Sequence, residues 1–535
     1  MKKYLVLFGA AILVMAWLSP SMAQAPAPAP DPTTRIIKGQ GATSPMGTPS
    51  EVGRPMQFQS FGHIEIQTIW EKKPDFNTGG AWAQQADSAS RKGADMTWRH
   101  IAQRYRVYLQ YGDLKTVRAV LGFEADSTDW GQPKGSGTVT GGGMGVYQAD
   151  QVQLEIKHAY LDFVIPNTPI TITAGIQFFD VAGRMWMNND APGLIATANF
   201  APHRIRAIWW RENDNNRFTY GVNDTYALTW DMTQPLFSLG AWGAYKNDLF
   251  TGQASSTIFQ SINVTSAQGV ASGAPTNFFD DHPYWAGLAG GFRPGNFDLS
   301  GQFIYEGGKR KFTNIVTAGA PSGDSTYNAW SAELAGKYRI GPGLFAGLEG
   351  YYSSGQDWNK NDKITQYSVP RNSEGQSNFG NDRTVFMWMN AAQMGYYHMH
   401  QTGITGYWYA RANVEFSPLT WLRLNLNYLY IGDTSSGSGF SAASPGFSPF
   451  TRLPLTAATK AINTPVGSRT DSDKSYVGSE LNLITTLAIY KNFNWNIGIY
   501  GFWPSDMFDR VDVAGNKIQA AEFSYGVNTK MVYAF

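Results

Sequence analysis

The sequence predicts an all-β fold, a transmembrane antiparallel β-barrel of about 18 strands with short periplasmic turns and long extracellular loops. Three observations predict it. Extended segments alternate oily and polar side chains. The connections between these segments are alternately long and short. Beyond the N-terminal segment, no stretch is apolar and long enough to cross a membrane as a helix.

The segment 521–535 shows the alternation most clearly. Every second position from Phe523 to Phe535 is aromatic or aliphatic except Thr529, and polar residues such as Lys530 lie between them. Because successive side chains of a strand point to opposite faces, one face is oily and the other polar. This is typical of a strand between lipid and water. Phe535 also resembles the closing aromatic residue of outer-membrane barrels, which implies a role as an assembly signal.

The composition favours membrane strands over soluble domains. Aromatic residues make up 14% of the chain and charged residues only 16%, below the roughly 25% typical of soluble domains. The formal net charge of +1 gives no reason to expect a nucleic-acid partner. The absence of cysteine excludes disulfide frameworks, thiolate metal sites and a lipoprotein anchor.

The N-terminal region divides into two predicted segments. In residues 1–25, two lysines precede an apolar run, and a small-x-small cleavage site follows at Ala23, which indicates an export signal peptide. A transmembrane anchor is the alternative, but the run is short for the ~20 residues that a spanning helix needs. Residues 26–56 are Pro-rich without periodicity and are predicted to be a disordered periplasmic tether. The barrel is expected over 57–535.

The spacing of the strands sets the topology. The predicted spans are 57–70, 97–111, 115–127, 150–165, 169–179, 193–199, 204–213, 223–234, 236–248, 283–293, 296–310, 327–340, 343–354, 401–417, 419–432, 476–491, 493–504 and 521–535. The short connections carry the Pro, Gly and Asn that tight turns need. Long connections are expected outside the cell. Two of these, 180–192 and 355–400, are candidate constrictions of the lumen.

The polar strand faces are predicted to line a pore. The candidate pore-lining residues are Arg104, Arg106, Arg118, Glu124, Lys157, Arg204, Arg206, Glu333, Lys337, Arg339, Glu349, Arg411, Glu415, Arg423, Glu480 and Lys530. Their mixed signs predict weak ion selectivity, because only a ring of one sign excludes ions of that sign. Two interpretations stay open: the charges pair across strands and hold the barrel, or the arginines form an anion path.

The sequence gives no sign of covalent chemistry. The histidines are scattered and no nucleophile–base spacing stands out. There is no phosphate loop, dinucleotide fingerprint or haem attachment motif. We therefore expect no enzyme activity, no cofactor and no metal site.

Two motifs near the C-terminus carry a family resemblance. Tyr476-Val477-Gly478-Ser479-Glu480-Leu481-Asn482-Leu483 is similar to the G-x-E-x-D-L strand of the alginate-export family of outer-membrane porins, with Asn482 in the acidic position. Phe502-Trp503-Pro504-Ser505 resembles the F-x-P-G motif of that family, with Ser505 in place of Gly. The resemblance implies an 18-strand outer-membrane porin. Alginate as cargo does not follow from the resemblance. The exporter of that family is similar to a strongly basic tunnel, whereas the charges predicted for this lumen are of both signs.

Together these patterns predict a porin in the outer membrane of a Gram-negative bacterium, which lets small hydrophilic solutes or ions diffuse through it. The expected partners are the lipid bilayer, lipopolysaccharide and the outer-membrane assembly machinery; a homo-oligomer is left open. Two alternatives remain at this point. One is an exporter of an acidic polysaccharide, and the other is a barrel sleeve for an electron-transfer cytochrome.

Overall fold

The computed structural model describes most of the region predicted to be a barrel. The described residues are 57–72, 97–113, 116–130, 154–182, 185–214, 222–250, 279–312, 324–357, 360, 362–369, 406–436, 475–506, 510–511 and 517–535. The predicted signal peptide (1–25) and tether (26–56) lie outside them. Within the described ranges, no helix has the length and apolar character needed to cross a membrane.

Eighteen long strands form the wall of a closed antiparallel barrel. The first nine are β1 (Gln57–Lys72), β2 (Thr97–Gly112), β3 (Val117–Asp129), β4 (Glu155–Val164), β5 (Ile170–Val181), β6 (Met187–Phe200), β7 (His203–Asp214), β8 (Val222–Thr233) and β9 (Phe237–Phe250). The others are β10 (Phe279–Phe292), β11 (Phe297–Phe312), β12 (Ser325–Gly341), β13 (Leu344–Ser353), β15 (Tyr407–Leu419), β16 (Leu422–Asp433), β17 (Tyr476–Tyr490), β18 (Phe493–Pro504) and β21 (Ser524–Ala534).

Three short strands stand apart from this wall. β14 (Lys363–Ile364) runs parallel to the first residues of β12. β19 (Arg510–Val511) pairs with β20 (Lys517–Gln519) in a separate two-stranded sheet. Both lie in connections at the end of the barrel where the long loops are. We call this the long-loop end, and the opposite end the short-turn end.

The wall closes because its last strand pairs with its first. β21 and β1 are antiparallel neighbours from His63↔Ala534 to Lys72↔Tyr525. Across this seam the Gln67 Nε2 donates a hydrogen bond of 3.2 Å to the Asn528 Oδ1. Each wall strand also pairs with the next one along the chain. The predicted fold class is therefore confirmed.

Several predicted strand ends need correction. The sixth span, 193–199, is too short, since β6 begins at Met187 and pairs with β5 as far as Val181↔Met187. Its polar start, Asn188-Asn189-Asp190, has loop-like composition, but these residues pair with β5. Accordingly only 182–186 connect β5 to β6, not the whole of 180–192. The span 401–417 also needs correction at its end, since β15 runs from Tyr407 to Leu419; residues 401–405 lie outside the described ranges.

The two faces of the wall differ in the sense required by a membrane. Outward side chains are large, apolar and exposed, with 71% exposure for Leu348, 67% for Leu334 and 59% for Leu228. On the other face Asn427 and Asn482 are polar and almost fully buried. A soluble barrel would show the reverse arrangement. The exterior therefore suits lipid, and pairing of every wall strand satisfies its backbone groups there.

Aromatic side chains gather on the outer face near both ends. At the long-loop end, ring centroids are 4.3 Å apart for Trp330 and Tyr352 and 4.6 Å apart for Tyr430 and Tyr476. At the short-turn end, the ring of Phe535 stacks on Tyr105. Two aromatic girdles around an apolar band are typical of outer-membrane barrels, because these rings prefer the lipid–water interface.

A substitution at Leu228, in the middle of β8, tests the lipid-facing surface. Arginine at this site should lower the free energy of unfolding by about 2–4 kcal/mol, because a charge would enter the hydrocarbon region. Urea unfolding in lipid vesicles measures the change. Leu228→Ala is the control for lost side-chain volume and should be much milder. Equal effects of the two variants would contradict a lipid-facing position.

Candidate functional site

The part of the β5–β6 hairpin nearest the long-loop end leaves the barrel wall. β4 pairs with β5 only as far as Ala159↔Ile176, and β6 pairs with β7 only as far as Gly193↔Trp210. Beyond these rungs β5 and β6 pair only with each other. We call residues 177–191 the inserted hairpin; residues 183–184 at its tip are outside the described part.

Glycines stand at both points of departure. Gly175 has φ +134, in the region that favours glycine, and a Cβ there would lie 2.2 Å from the Ala159 carbonyl oxygen. A Cβ on Gly193 would lie 2.2 Å from the carbonyl oxygen of Trp209. Any larger residue would collide with the neighbouring strand. The two glycines thus let the hairpin separate from the wall without opening the rungs below.

The inserted hairpin turns into the barrel and packs against the inner face. Trp186 is fully buried, and its ring lies 5.7 Å from Trp210 of β7, 4.8 Å from Trp242 of β9 and 5.1 Å from Trp285 of β10. We call these four residues the tryptophan cluster. Because its members come from strands that are not all neighbours, the hairpin tip lies across the interior rather than in the wall.

A second segment meets the hairpin inside the barrel. In the inward arm, residues 362–369, the Tyr367 hydroxyl donates to the Met185 carbonyl oxygen at 3.2 Å. Burial raises the pKa of this hydroxyl well above its ordinary value, so it remains a donor over the physiological range.

Ser368 fixes the inward arm to the wall through all its polar groups. Its backbone N–H and hydroxyl donate to the Glu306 carboxylate at 2.8 and 2.5 Å. Its carbonyl oxygen accepts from the Trp285 Nε1 at 3.1 Å. Both predicted constriction segments thus contribute to one buried contact; residues 370–400 of the second lie outside the described ranges.

A charged cluster holds the inserted hairpin on the side opposite to the tryptophan cluster. The Glu124 carboxylate pairs with Arg104 at 3.3 Å, with Lys157 at 2.6 Å and with Arg106. Lys157 also pairs with Asp190 of the inserted hairpin at 2.6 Å, and His158 hydrogen-bonds the same carboxylate at 2.8 Å. The hairpin is therefore held by ion pairs on the β4 side and by aromatic packing on the β7–β10 side.

Most of the other candidate pore-lining charges are also paired across strands. The pairs are Arg118–Asp162 at 2.7 Å, Arg204–Asp231 at 2.9 Å, Lys337–Glu415 at 2.9 Å, Arg411–Glu349 at 2.6 Å and Lys530–Glu65 at 3.0 Å. Of the two interpretations left open by the sequence, cross-strand pairing describes these residues.

The remaining candidates have other surroundings. Glu333 accepts a long hydrogen bond of 3.4 Å from Gln302, and the fully buried Glu480 accepts one of 2.7 Å from Asn482. Arg339 lies over the ring of Phe345. Among the described residues, Arg206 bonds only neutral oxygens, and Arg423 has no ion-pair partner. Phe535, the predicted assembly signal, exchanges backbone hydrogen bonds of 3.0 Å with Gly62.

Sequence reasoning missed two ion pairs near the long-loop end, one fully buried and one largely buried. Arg310 pairs with Asp281 at 2.5 Å, and Lys246 pairs with Glu212 at 2.6 Å. Arg310 has the same strand parity as Glu306, so alternation alone could have placed it inside. Asp281 was missed because the predicted span began two residues later, at 283.

Comparison with known proteins gives only distant likenesses. No family model matches the chain, and no curated protein matches it. The alginate-export resemblance therefore stays a prediction. Among solved structures, the chain is similar to OccD3 (OpdP) of Pseudomonas aeruginosa at 10% identity, covering 95% of this chain and 99% of that one, with a TM-score of 0.46.

Two proteins of Acinetobacter baumannii give similar values. OccAB1 is 10% identical, with 89% of this chain and 96% of that chain covered and a TM-score of 0.47. The outer membrane channel DcaP is 11% identical, with 92% and 100% covered and a TM-score of 0.38.

Proposed function

We propose that this protein is a channel in the outer membrane of a Gram-negative bacterium, through which small hydrophilic solutes diffuse down their gradients. One observation carries the proposal: a closed strand wall has an exposed apolar exterior around a charged interior. Lipid matches the first surface and water the second. A barrel of this strand number is wide enough to hold an aqueous path beside inserted segments.

The path is proposed to run along the wall formed by β21 and β1 to β4. The inserted hairpin and inward arm fill the side next to β7, β9, β10 and β11, where Trp186 and Glu306 are fully buried. On the opposite side, charged groups keep partial exposure, with side-chain values of 28% for Arg104 and 19% for Glu65. The candidate pore-lining residues of these five strands would therefore contact solutes there.

The pairing of charges supports a weakly selective channel rather than a polysaccharide exporter. Each carboxylate cancels most of the electric field of the basic side chain that it contacts, so neither sign of charge dominates along the wall. An exporter of acidic polymers would need a continuous basic lining. The contacts among the described side chains give alternating signs instead, as in Glu124 between Arg106 and Lys157.

Delivery to the membrane forms part of the same proposal. Residues 1–25 would direct export and 26–56 would remain in the periplasm as a tether. Phe535 would serve as the signal for the assembly machinery. Its exposed ring beside Tyr105 and Tyr533 at the short-turn end supports this role, because that end faces the periplasm in barrels with short periplasmic turns.

Reconstitution into a planar lipid bilayer tests the channel. The purified protein should insert in discrete conductance steps, because each barrel adds one water-filled path. Heat-unfolded protein at the same detergent concentration is the control and should add no steps. A folded protein, verified by its β-sheet circular dichroism, that never conducts would contradict the proposal.

A further inference from the structure

The basic residues on the outer face of the barrel are confined to one end. By strand alternation, the outward lysines and arginines of the described wall strands are Lys72, Arg99, Arg211, Lys309 and Lys311. Each lies within four residues of the strand terminus at the long-loop end. At the short-turn end, the described wall strands carry no outward lysine or arginine. The outer surface is therefore asymmetric in charge.

Two of these residues lie side by side on β1 and β2. The register pairs Trp70↔Arg99 and Lys72↔Thr97 place Lys72 and Arg99 at diagonal positions, within reach of each other's long side chains. We call these two residues the outer basic pair. Their register partners Trp70, Thr97 and Tyr525 are all uncharged. Arg99 is exposed and has no ion-pair partner among the described residues.

The other outward cations have carboxylates beside them. Arg211 pairs with Asp224 at 2.9 Å. Lys311 lies opposite Asp280 in the β10–β11 register, and Lys309 is the next outward residue on the same strand. Among the described side chains, the positive charge of the outer face is therefore least compensated at the outer basic pair.

The outer basic pair lies just beyond the aromatic girdle. The Trp70 ring belongs to the girdle and lies 5.7 Å from the ring of Tyr525. Lys72 follows Trp70 by two residues, which is about 7 Å along a strand toward the long-loop end. Since the girdle marks the lipid–water interface, the two charged groups reach the level of the lipid headgroups.

The long-loop end faces the outside of the cell, where the outer leaflet consists of lipopolysaccharide. Its lipid A anchor carries phosphate groups directly above the acyl chains. We infer that Lys72 and Arg99 together bind a phosphate group of lipid A. The guanidinium offers a phosphate two parallel N–H donors, and the ammonium adds a compact charge. A phospholipid is the poorer match, because the end that faces the phospholipid leaflet has no outward cation among the described wall residues. This inference rests on the outer-membrane placement proposed above and adds a lipid partner.

Binding of lipid A to the purified protein in neutral detergent tests the inference. Native mass spectrometry, with EDTA present to remove bridging cations, gives the affinity for lipid A that carries both phosphates. K72Q/R99Q should weaken this binding roughly thirtyfold, about fivefold for each cation lost. K72R/R99K keeps both charges and should keep most of the affinity. The matched control is R211Q/D224N, which removes a neutral pair at the same end and should bind like the wild type.

A second comparison uses the wild-type protein alone, so it decides the question even when K72Q/R99Q does not assemble. Lipid A without its phosphates should bind about as weakly as intact lipid A binds to K72Q/R99Q, because the same contacts are lost. Phosphatidylglycerol should also bind more weakly than intact lipid A. Equal affinity for these two lipids would show that the site takes any anionic lipid and would overturn the assignment to lipid A.

The outcomes separate this inference from the proposed channel. A folded K72Q/R99Q variant that binds intact lipid A like the wild type would overturn the lipid site and leave the channel standing. The site would also be overturned if removing the phosphates left the wild-type affinity unchanged. A wild type that binds lipid A through its phosphates but never conducts would count against the channel alone.

Discussion

Replacing Trp186 by alanine should raise the single-channel conductance and add rapid current fluctuations. The Trp186 ring is fully buried against Trp210, Trp242 and Trp285. Truncating a buried tryptophan to alanine typically costs about 3–5 kcal/mol. Here that loss falls on the docking of the inserted hairpin, because the wall strands keep their own ladders. A loosened hairpin would leave more of the interior to water.

Trp209→Ala is the matched control for this experiment. Trp209 neighbours Trp210 on β7 but points to the opposite face, where it packs under the Arg211 guanidinium at 5.7 Å. Its removal should leave the conductance unchanged. If Trp186→Ala conducts like the wild type although a protease now cleaves its hairpin in the folded barrel, the hairpin does not limit the path.

Replacing Arg310 by methionine should destabilise the barrel by about 3–5 kcal/mol, the usual cost of leaving one member of a buried ion pair alone. Arg310 and Asp281 are both fully buried, and the Tyr327 hydroxyl donates to the Asp281 carboxylate at 2.6 Å. Without the guanidinium, the buried Asp281 carboxylate would keep only that hydroxyl as a hydrogen-bond donor among the described side chains. Urea unfolding monitored by tryptophan fluorescence measures the loss.

Two controls define the cause. The double variant R310M/D281N removes both charges and should recover much of the stability. Arg293→Met breaks the pair with Asp298, whose members are 71% and 49% exposed, and should cost less than about 1 kcal/mol. Equal losses for Arg310→Met and Arg293→Met would show that burial does not decide the strength of these pairs.

The wall of the barrel was predictable because its signal is local. Lipid on one face forces an apolar residue at every second position, as in Leu422 to Tyr430, and water or packed polar groups fill the other face. Short turns carry their own residue preferences. Because each wall strand pairs with the next one along the chain, the number and antiparallel order of the strands follow directly from the order of the segments in the sequence.

The inserted hairpin was not predictable from the same signal. Whether β5 and β6 stay in the wall depends on Gly175, Gly193 and three tryptophans supplied by other strands. Local alternation contains no information about such distant packing. The polar composition at the start of β6 therefore predicts a loop, although these residues belong to a paired strand inside the barrel.

The partners of the interior charges were predictable only in part. Alternation placed Arg106 and Glu124 on the same face of neighbouring strands, so their pairing was open to inference. The pair between Lys157 and Asp190 was not, because Asp190 lay in a presumed loop. Register is also critical, since a shift of one residue moves every side chain to the other face.

The seam between β1 and β21 has a consequence for how the protein is made. Gln67 and Asn528 are bonded across it although 461 positions separate them along the chain. During synthesis β1 therefore keeps one edge of unmatched N–H and C=O groups until nearly the whole polypeptide has been made. Such an edge invites pairing with other chains, and so long a closure slows folding. For the outer-membrane channel proposed above, we expect dependence on periplasmic chaperones to prevent aggregation in that interval, and a depleted chaperone pool should reduce its yield before that of barrels with fewer strands.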